Sequence, residues 1–136
     1  MLLSHCIFCN IPSEKIIAEN ELAAAFFDNY PVNRGHVLVI TKRHVETFFD
    51  ATLEEMEAVN RLIIEVKDML DQRFQPDGYN IGVNVGTAAG QTIFHLHVHV
   101  IPRYSGDIPN PRGGIRRIIK SLVPYQEEEE EHLPLR

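Results

Sequence analysis

The stretch His95-Leu96-His97-Val98-His99-Val100-Ile101 alternates histidines with aliphatic residues. Successive side chains of a β-strand point to opposite faces of a sheet, so this alternation predicts a strand, which we place over residues 93–101. Three imidazoles then share one face, and the aliphatic residues between them enter the core. Burying three histidines without partners is costly. The pattern therefore indicates either a metal site or a nucleophilic imidazole that its neighbours hold and tune.

The segment before these histidines is rich in small residues and neutral hydrogen-bonding groups. It contains Asn84, Gly86, Thr87, Gly90, Gln91 and Thr92. Backbone N–H groups and such side chains suit phosphate oxygens, which need donors at close range. A catalytic zinc ion would prefer carboxylates or further histidines nearby, and none flank the strand. The surroundings favour a nucleophile acting on a phosphate, although a zinc-dependent metallohydrolase remains an alternative.

The composition is that of a soluble globular protein of one domain. The chain has 136 residues, of which 44% are hydrophobic and 24% are charged. No apolar run reaches the roughly 20 residues that span a membrane, and the N-terminus lacks the pattern of a signal peptide, so we expect a cytoplasmic protein. The net charge is −6, and five of the 19 acidic residues form the run 127–131. This balance argues against a nucleic-acid-binding surface, and we predict a flexible acidic tail over residues 121–136.

The remaining pattern predicts an α+β fold. Strands are predicted over residues 16–19, 22–28, 36–40 and 79–85, and one long helix over residues 53–74. Thr52 and Glu55 form a capping box at the start of this helix. Its predicted apolar face consists of Met56, Val59, Ile63, Val66 and Leu70, widened by Leu62 and Met69. Strands on both sides of one long helix indicate a mainly antiparallel sheet.

Two segments resemble the histidine triad (HIT) family of nucleotide hydrolases and transferases. The stretch Gly90-Gln91-Thr92-Ile93-Phe94-His95-Leu96-His97-Val98-His99-Val100-Ile101-Pro102-Arg103 is similar to the family signature, and residues 35–44 are similar to its second motif. Asp28 lies eight residues before His36, where the family places a ribose-binding residue. The resemblance covers residues 6–104. It implies a single HIT domain over residues 1–120 with short C-terminal elements, and a homodimer whose sheets continue across the interface.

The resemblance also implies roles for single residues. The middle histidine, His97, attacks the α-phosphorus and forms a nucleotidyl-histidine intermediate, while its other ring nitrogen donates to a backbone carbonyl of the same strand. His36 and His99 flank the phosphate and stabilise its charge or shuttle protons. Because the third histidine is His99 rather than glutamine, hydrolysis is favoured over nucleotidyl transfer. The implied nucleotide-binding residues are Asp28, Asn84, Gln91, Thr92 and His99, with Gln91 also assigned to catalysis.

Two of these residues have a simpler interpretation. Asp28 lies at the end of a predicted strand, and Asn84 follows another, so either can be an ordinary turn residue.

The implied substrates are dinucleoside polyphosphates, such as diadenosine tetraphosphate, or nucleoside phosphoramidates. A polyphosphate substrate can carry magnesium, which the nucleophile does not need. A nucleotide-binding regulatory protein with little turnover is the other alternative.

Cys6-Ile7-Phe8-Cys9 is a second feature with chemical meaning. In a cytosolic chain this spacing indicates a metal or redox site more than a structural disulfide, and an unligated buried pair is also possible. The resemblance implies a structural zinc ion held by Cys6, Cys9, His44 and His95. A set of two cysteines and two histidines is a closed tetrahedral site, so the zinc would tie the N-terminal segment to the histidine strand.

The segment 107–117 contains Pro-Arg-Gly-Gly-x-Arg and resembles family members described as dinucleoside polyphosphate hydrolases. Arg112, Arg116 and Arg117 are suited to bind distal phosphates, because the guanidinium group matches phosphate oxygens with two parallel hydrogen bonds. A surface loop with a short basic turn is the alternative interpretation of this segment.

Overall fold

A computed structural model describes residues 3–119 of the chain. Five strands form one antiparallel sheet in the order β1-β2-β3-β5-β4. They are β1 (Ile16–Glu19), β2 (Ala23–Phe27), β3 (Val37–Thr41), β4 (Gly78–Gly82) and β5 (His97–Arg103). One long helix, α1 (Leu53–Phe74), joins β3 to β4, and short 3-10 turns occupy several loops. The predicted α+β fold with a mainly antiparallel sheet is confirmed. No helix in this part of the chain is long and apolar enough to cross a bilayer.

Helix α1 has the predicted bounds because both ends carry strong local signals. The Thr52 hydroxyl accepts from the Glu55 amide, and the Glu55 carboxylate accepts from the Thr52 amide, which confirms the capping box. The charged side chain of Glu55 is buried. This burial is tolerated because Arg43 donates two hydrogen bonds to the Glu55 carboxylate, at 3.0 and 2.7 Å. This pair ties the start of α1 to the segment that follows β3.

The buried face of α1 is rotated relative to the predicted apolar stripe. Its buried apolar residues are Ala58, Val59, Leu62, Val66 and Leu70. Met56 and Ile63 are only half-buried, and Met69 is 39% exposed. The predicted and observed faces differ because the small residue Ala58 lies against the sheet. The prediction used only large apolar side chains and therefore left Ala58 out.

The two faces of the sheet have different covers. Alternate residues of the central strands pack against α1, namely Ala23, Ala25, Val37, Val39, Val98 and Val100. The residues between them pack on the opposite face against Cys6 and Phe8 of the N-terminal segment. This second cluster contains Ala24, Phe26, Leu38 and Ile40. The N-terminal segment therefore serves as the second layer of the fold.

Three predicted strand boundaries were wrong by two residues or more, namely the end of β4 and both ends of β5. Strand β4 ends at Gly82 rather than residue 85, and β5 begins at His97 rather than residue 93. Strand β5 also continues through Pro102, which lacks an N–H group. Proline is tolerated there because β3 pairs with β5 only as far as Val100, opposite Val37.

The chain divides into two compact units, residues 1–104 and 105–136. The first contains the sheet and the helix. Within the second, the described residues contain one 3-10 turn at Gly114–Arg117, and an Arg117 guanidinium nitrogen donates to the Asn110 carbonyl. The predicted single domain over residues 1–120 therefore stays a prediction. The predicted acidic tail, 121–136, lies outside the described residues.

Candidate active site

The three histidines share the sheet face that lies opposite α1, as predicted. His97 and His99 lie in β5, with ring centroids 5.3 Å apart, and His95 lies two residues before the strand begins. Phe8 of the N-terminal segment contacts the rings of His95 and His97. Each ring nevertheless has different hydrogen-bonding partners. The three histidines therefore lie in three different environments.

His97 is held in the orientation required of a nucleophile. Its Nδ1 lies 2.7 Å from the backbone oxygen of His95. A carbonyl can only accept, so Nδ1 carries the proton and Nε2 keeps its lone pair. The side chain is 8% exposed, and Phe8 packs edge-on against the ring at 5.0 Å between centroids. The expected hydrogen bond to a carbonyl of the same strand segment is present.

His99 receives its orientation through a short relay of hydrogen bonds. The backbone N–H of Val32 donates to Nδ1 of His36 at 3.1 Å, so His36 must carry its ring proton on Nε2. That Nε2 lies 2.9 Å from Nδ1 of His99 and 3.4 Å from a carboxylate oxygen of Asp28. His99 therefore accepts at Nδ1 and presents an Nε2–H group, which is a suitable donor for a phosphate oxygen.

The same relay argues against a metal ion between Asp28, His36 and His99, although their ligand atoms lie within 4.8 Å of one another. The Nδ1 lone pair of His36 is already used by the Val32 amide, so Nε2 has no lone pair for a metal. Both histidines are also kept neutral. Burial lowers the pKa of His36 against the opposing effect of Asp28. Burial, together with His97 and His36, lowers the pKa of His99 to about 4.

A second group of potential metal ligands brings together the predicted zinc ligands Cys6, Cys9, His44 and His95. Sγ of Cys6 lies 3.4 Å from Nδ1 of His95, and Sγ of Cys9 lies 3.2 and 3.5 Å from Nδ1 of His44 and His95. Zn–S bonds of about 2.3 Å and Zn–N bonds of about 2.0 Å place the ligand atoms of a tetrahedral ion roughly 3.5 Å apart. The donor set therefore fits tetrahedral zinc.

A backbone carbonyl prepares His95 for this cluster. Its Nε2 lies 2.7 Å from the oxygen of Thr41, the last residue of β3. Nε2 therefore donates, and Nδ1 offers its lone pair to the cysteine side. Within residues 3–119, no compact group of ligand atoms unites His95, His97 and His99. This division weakens the alternative in which one catalytic zinc ion is bound by the whole triad.

A cavity of ≈ 370 Å³ lies between the N-terminal segment and the sheet. Its apolar lining includes Phe8, Ile11, Phe26, Leu38 and Ile93, and its rim includes Asp28, Tyr30 and Lys15. Phe8 contacts His97, and Asp28 contacts His36, so the cavity adjoins the histidine group. An apolar cleft with one carboxylate at its edge has the properties of a small-molecule site.

The remaining predicted residues do not all join the histidines. Gln91 is buried, and its amide bonds only to backbone atoms: it accepts from Gly86 and donates to the carbonyls of Glu46 and Ile93. Its contacts hold the loop before β5 in shape. Thr92 is exposed beside a separate cleft near His44, and Asn84 is exposed beyond the end of β4.

Two contributors to the site carry no sequence signal as functional residues. Val32 acts through its backbone amide, and its side chain is exposed. Phe8 lies between the two cysteines, a position at which a buried aromatic is easily taken for ordinary core. Its contact with His97 depends on the folding of residues 6–9 against β5.

Comparison with known proteins agrees with this arrangement. The HIT domain family matches residues 10–106. The chain belongs to the HIT family. An uncharacterized 16.1 kDa HIT-like protein of Mycoplasma pneumoniae is 44% identical over 108 residues, which are 76% of this chain and 75% of that protein.

Of two further relatives, one is named for an enzymatic activity and the other is a zinc-bound structure. The asymmetrical bis(5'-nucleosyl)-tetraphosphatase of Schizosaccharomyces pombe is 37% identical over 93 residues, which are 68% of this chain and 51% of that enzyme. A zinc-bound histidine triad family protein from Mycobacterium smegmatis superimposes with a TM-score of 0.71 at 35% identity, covering 78% of this chain and 80% of that one. The expected HIT-like fold is therefore confirmed.

Acidification should destabilise the protein through His99. Its pKa is about 4 in the folded chain and about 6.5 when unfolded, so the unfolded state binds more protons in between. The stability contributed by neutral His99 is present above pH 6.5 and is lost as the pH falls towards 4. Replacing His99 by glutamine should reduce this loss by up to about 1 kcal/mol per pH unit, as measured by urea unfolding from pH 7 to pH 4.5.

The variant His5→Gln is the control for removal of an imidazole, because His5 is exposed. Its stability curve should follow that of the wild type. Release of metal at low pH is common to the three proteins and cancels in the differences. Parallel curves for His99→Gln and the wild type would contradict the neutral state of His99.

Proposed function

We propose that this protein is a nucleotidyl hydrolase in which Nε2 of His97 attacks the α-phosphorus of a nucleotide. The single observation that carries the proposal is the hydrogen bond from Nδ1 of His97 to the His95 carbonyl. It fixes the neutral ring with its lone pair on Nε2, and among residues 3–119 that nitrogen has no described hydrogen-bond partner. Neutral imidazole is a good nucleophile near pH 7.

The proposed reaction has two steps. Attack forms a bond between Nε2 of His97 and phosphorus and breaks the bond from phosphorus to the leaving group, which is an oxygen of the remaining phosphate chain in a polyphosphate and the amine nitrogen in a phosphoramidate. Water then cleaves the phosphoramidate, which regenerates His97 and releases a nucleoside monophosphate. The Nε2–H of His99 is the proposed donor to a phosphate oxygen. The relay from Val32 through His36 places the ring proton of His99 on this nitrogen.

The apolar cavity is the proposed site for the nucleoside. Asp28 at its edge is the proposed acceptor for ribose hydroxyls, in keeping with the resemblance, although one of its carboxylate oxygens already accepts from the Tyr30 amide. Gln91 and Thr92 remain proposed contacts for phosphate oxygens or the leaving group, and Gln91 also supports the loop before β5 through its bonds to backbone atoms. Asn84 is retained as a contact for the phosphate or ribose side.

Dinucleoside polyphosphates and nucleoside phosphoramidates are the proposed substrates. The tetraphosphatase relative supports the first class, because its name states that activity for a protein 37% identical over 93 residues. Binding of distal phosphates by Arg112, Arg116 and Arg117 remains a prediction. Magnesium enters only as an ion carried by a polyphosphate. The two clusters of potential metal ligands in residues 3–119 contain one carboxylate between them, whereas magnesium prefers oxygen ligands.

A nucleotide-binding regulatory protein with little turnover is the second candidate function. A cavity that binds a nucleoside serves both functions equally well. The oriented His97 and the proton relay to His99 favour the enzyme, because binding alone does not require a specific ring nitrogen to keep its lone pair.

The covalent mechanism predicts that His97→Ala abolishes turnover. Wild type and variant would be given diadenosine tri- and tetraphosphate, ADP and an adenosine phosphoramidate, with products resolved by ion-exchange chromatography. We expect AMP release from at least one substrate and a loss of about 1,000-fold or more in the variant, because the attacking atom is absent. Circular dichroism would test whether His97→Ala is folded, with the exposed helix variant Gln72→Ala measured beside it as the control.

Turnover that persists in His97→Ala would refute the covalent mechanism. A wild-type protein that binds AMP but releases no product from any substrate would favour the regulatory function instead.

A structural zinc ion is the second part of the proposal, with Cys6, Cys9, His44 and His95 as its ligands. The fit of the donor distances supports it, as does the zinc-bound relative at 35% identity. When bound, this ion would cross-link three chain segments and act structurally, since four protein ligands leave no position for water.

Elemental analysis of purified protein should give one zinc per chain, and Cys6→Ser should lose it. We also expect the melting temperature of Cys6→Ser to fall by about 5 °C or more, because roughly 1 kcal/mol shifts the melting temperature of a domain this size by several degrees. Ser4→Ala, two residues away, should keep both properties. Zinc-free wild type with an unchanged melting temperature for Cys6→Ser would exclude the structural role.

A homodimer is the last part of the proposal. Strand β4 is an edge of the sheet, and Ile81 on it is 44% exposed. Beside it lies an apolar groove of ≈ 430 Å³ between α1 and the sheet, lined by Met56, Ile63, Val83 and Leu96 among others. An unpaired edge next to an apolar groove is suited to pairing with a second copy.

Sedimentation of the wild type should therefore show a dimer, and Ile81→Lys should weaken it by about tenfold or more, because a charge would be buried at the interface. Val32→Lys, at an exposed aliphatic position on the loop between β2 and β3, is the matched control and should remain dimeric. A monomeric wild type would contradict this part of the proposal.

A further inference from the structure

The N-terminal segment 4–12, here called the cysteine knuckle, belongs to two sites at once. Its two cysteines are half of the zinc-ligand set, and the Cys6 side chain is buried. The same segment supplies more than half of the residues that line the cavity proposed for the nucleoside, including Phe8 and Ile11. Any change in the position of the knuckle therefore changes the shape of that cavity.

Phe8 is the residue at which the two sites meet. Its side chain is 7% exposed and lies between the two cysteines in sequence. Its ring centroid lies 5.0 Å from that of His97, 6.1 Å from that of His95 and 5.4 Å from that of Phe26, all in edge-to-face arrangements. One ring thus contacts the proposed nucleophile, a proposed zinc ligand and the wall of the cavity.

Few polar contacts hold the knuckle to the rest of the protein. Asn10 donates to the carbonyls of Leu3 and Cys6, and the Cys6 amide donates to the Leu3 carbonyl, so these bonds stay within residues 3–12. Apart from the local turn bond from the Lys15 amide to the Pro12 carbonyl, the described hydrogen bonds that link residues 3–12 to the rest of the fold run from the two cysteines to His44 and His95. Beyond apolar packing, the position of the knuckle depends on the zinc-ligand set.

We propose that Phe8 is a positioning residue that couples the metal site to the nucleotide site. A metal ion bound by the knuckle holds Phe8 against His97 and completes the wall of the cavity. A nucleotide that packs on this wall in turn holds the knuckle in place. Because coupling between two binding equilibria is reciprocal, nucleotide raises the affinity for the metal by the same factor as the metal raises the affinity for nucleotide.

This inference rests on the proposed function, since it requires that the cavity binds a nucleoside. It goes beyond a structural zinc ion because it predicts a change in zinc affinity on nucleotide binding. A zinc ion that only stabilised the fold at a distance from the cavity would bind equally well with and without nucleotide.

The experiment measures zinc transfer from the zinc-loaded full chain to a chromophoric chelator, with and without saturating AMP. The chelator is calibrated in the same AMP concentration, so that binding of zinc by AMP itself is subtracted. We expect AMP to raise the zinc affinity of the wild type by about fivefold or more, the lower end of typical coupling between sites. In Phe8→Ala this ratio should fall to within about twofold of one, even at AMP concentrations that saturate the variant.

Two further variants distinguish coupling from a general loss of structure. Phe8→Leu keeps a large apolar side chain and should restore part of the ratio. Ile93→Ala is the matched control, because Ile93 lines the same cavity but lies outside the knuckle. It should weaken AMP binding and keep the wild-type ratio at saturation. Melting temperatures of the zinc-loaded proteins show that each variant is folded.

The outcomes separate this inference from the function on which it rests. If AMP does not bind the zinc-loaded wild type at all, the proposed function fails, and the coupling fails with it. If AMP binds but leaves the zinc affinity of the wild type unchanged, the coupling alone is overturned. A wild-type ratio in Phe8→Ala would show that Phe8 does not carry the coupling.

Discussion

The contact on which the rest of the structure depends is made by His95. Its Nε2 donates to the last carbonyl of β3, and its Nδ1 faces the two cysteines, so one ring joins the sheet to the N-terminal segment. Its backbone oxygen accepts a hydrogen bond from Nδ1 of His97, and this bond orients the His97 ring. The residue is completely buried. The side chain of His95 thus helps to hold the N-terminal segment on the second face of the sheet, and its backbone oxygen determines which nitrogen of His97 carries the proton.

Alternation along β5 is what allows adjacent histidines to serve different purposes. Residues on the same face of a strand lie close together, yet each meets a different neighbour across the sheet. His95 meets the N-terminal cysteines, whereas His99, opposite Leu38 in the register, meets His36 from the end of the adjoining loop. His97 between them packs against the rings of Phe8 and His99, and its Nδ1 donates to the His95 carbonyl. The triad is therefore one motif in sequence and three environments in space.

Much of this arrangement could be predicted from the sequence, for identifiable reasons. The bounds of α1 were predicted because its capping box is encoded by Thr52 and Glu55. The proposed zinc-ligand set and the proposed nucleophile came from the resemblance, and the structure brings the four ligand side chains together. The ends of β4 and β5 were missed because strand length depends on the partner strand. The partners of Gln91, all backbone atoms, were missed because hydrogen bonds to main chain leave no trace in residue identity.

The amide of Val32 has a consequence for how this protein can vary. The proton arrangement of two histidines depends on a main-chain group, so nineteen of the twenty amino acids supply the same donor at this position, and only proline lacks it. The exposed side chain at position 32 can therefore change without altering which ring nitrogens of His36 and His99 carry protons, as long as the loop keeps its path. A comparison of relatives would show a variable column at position 32 with a single forbidden residue.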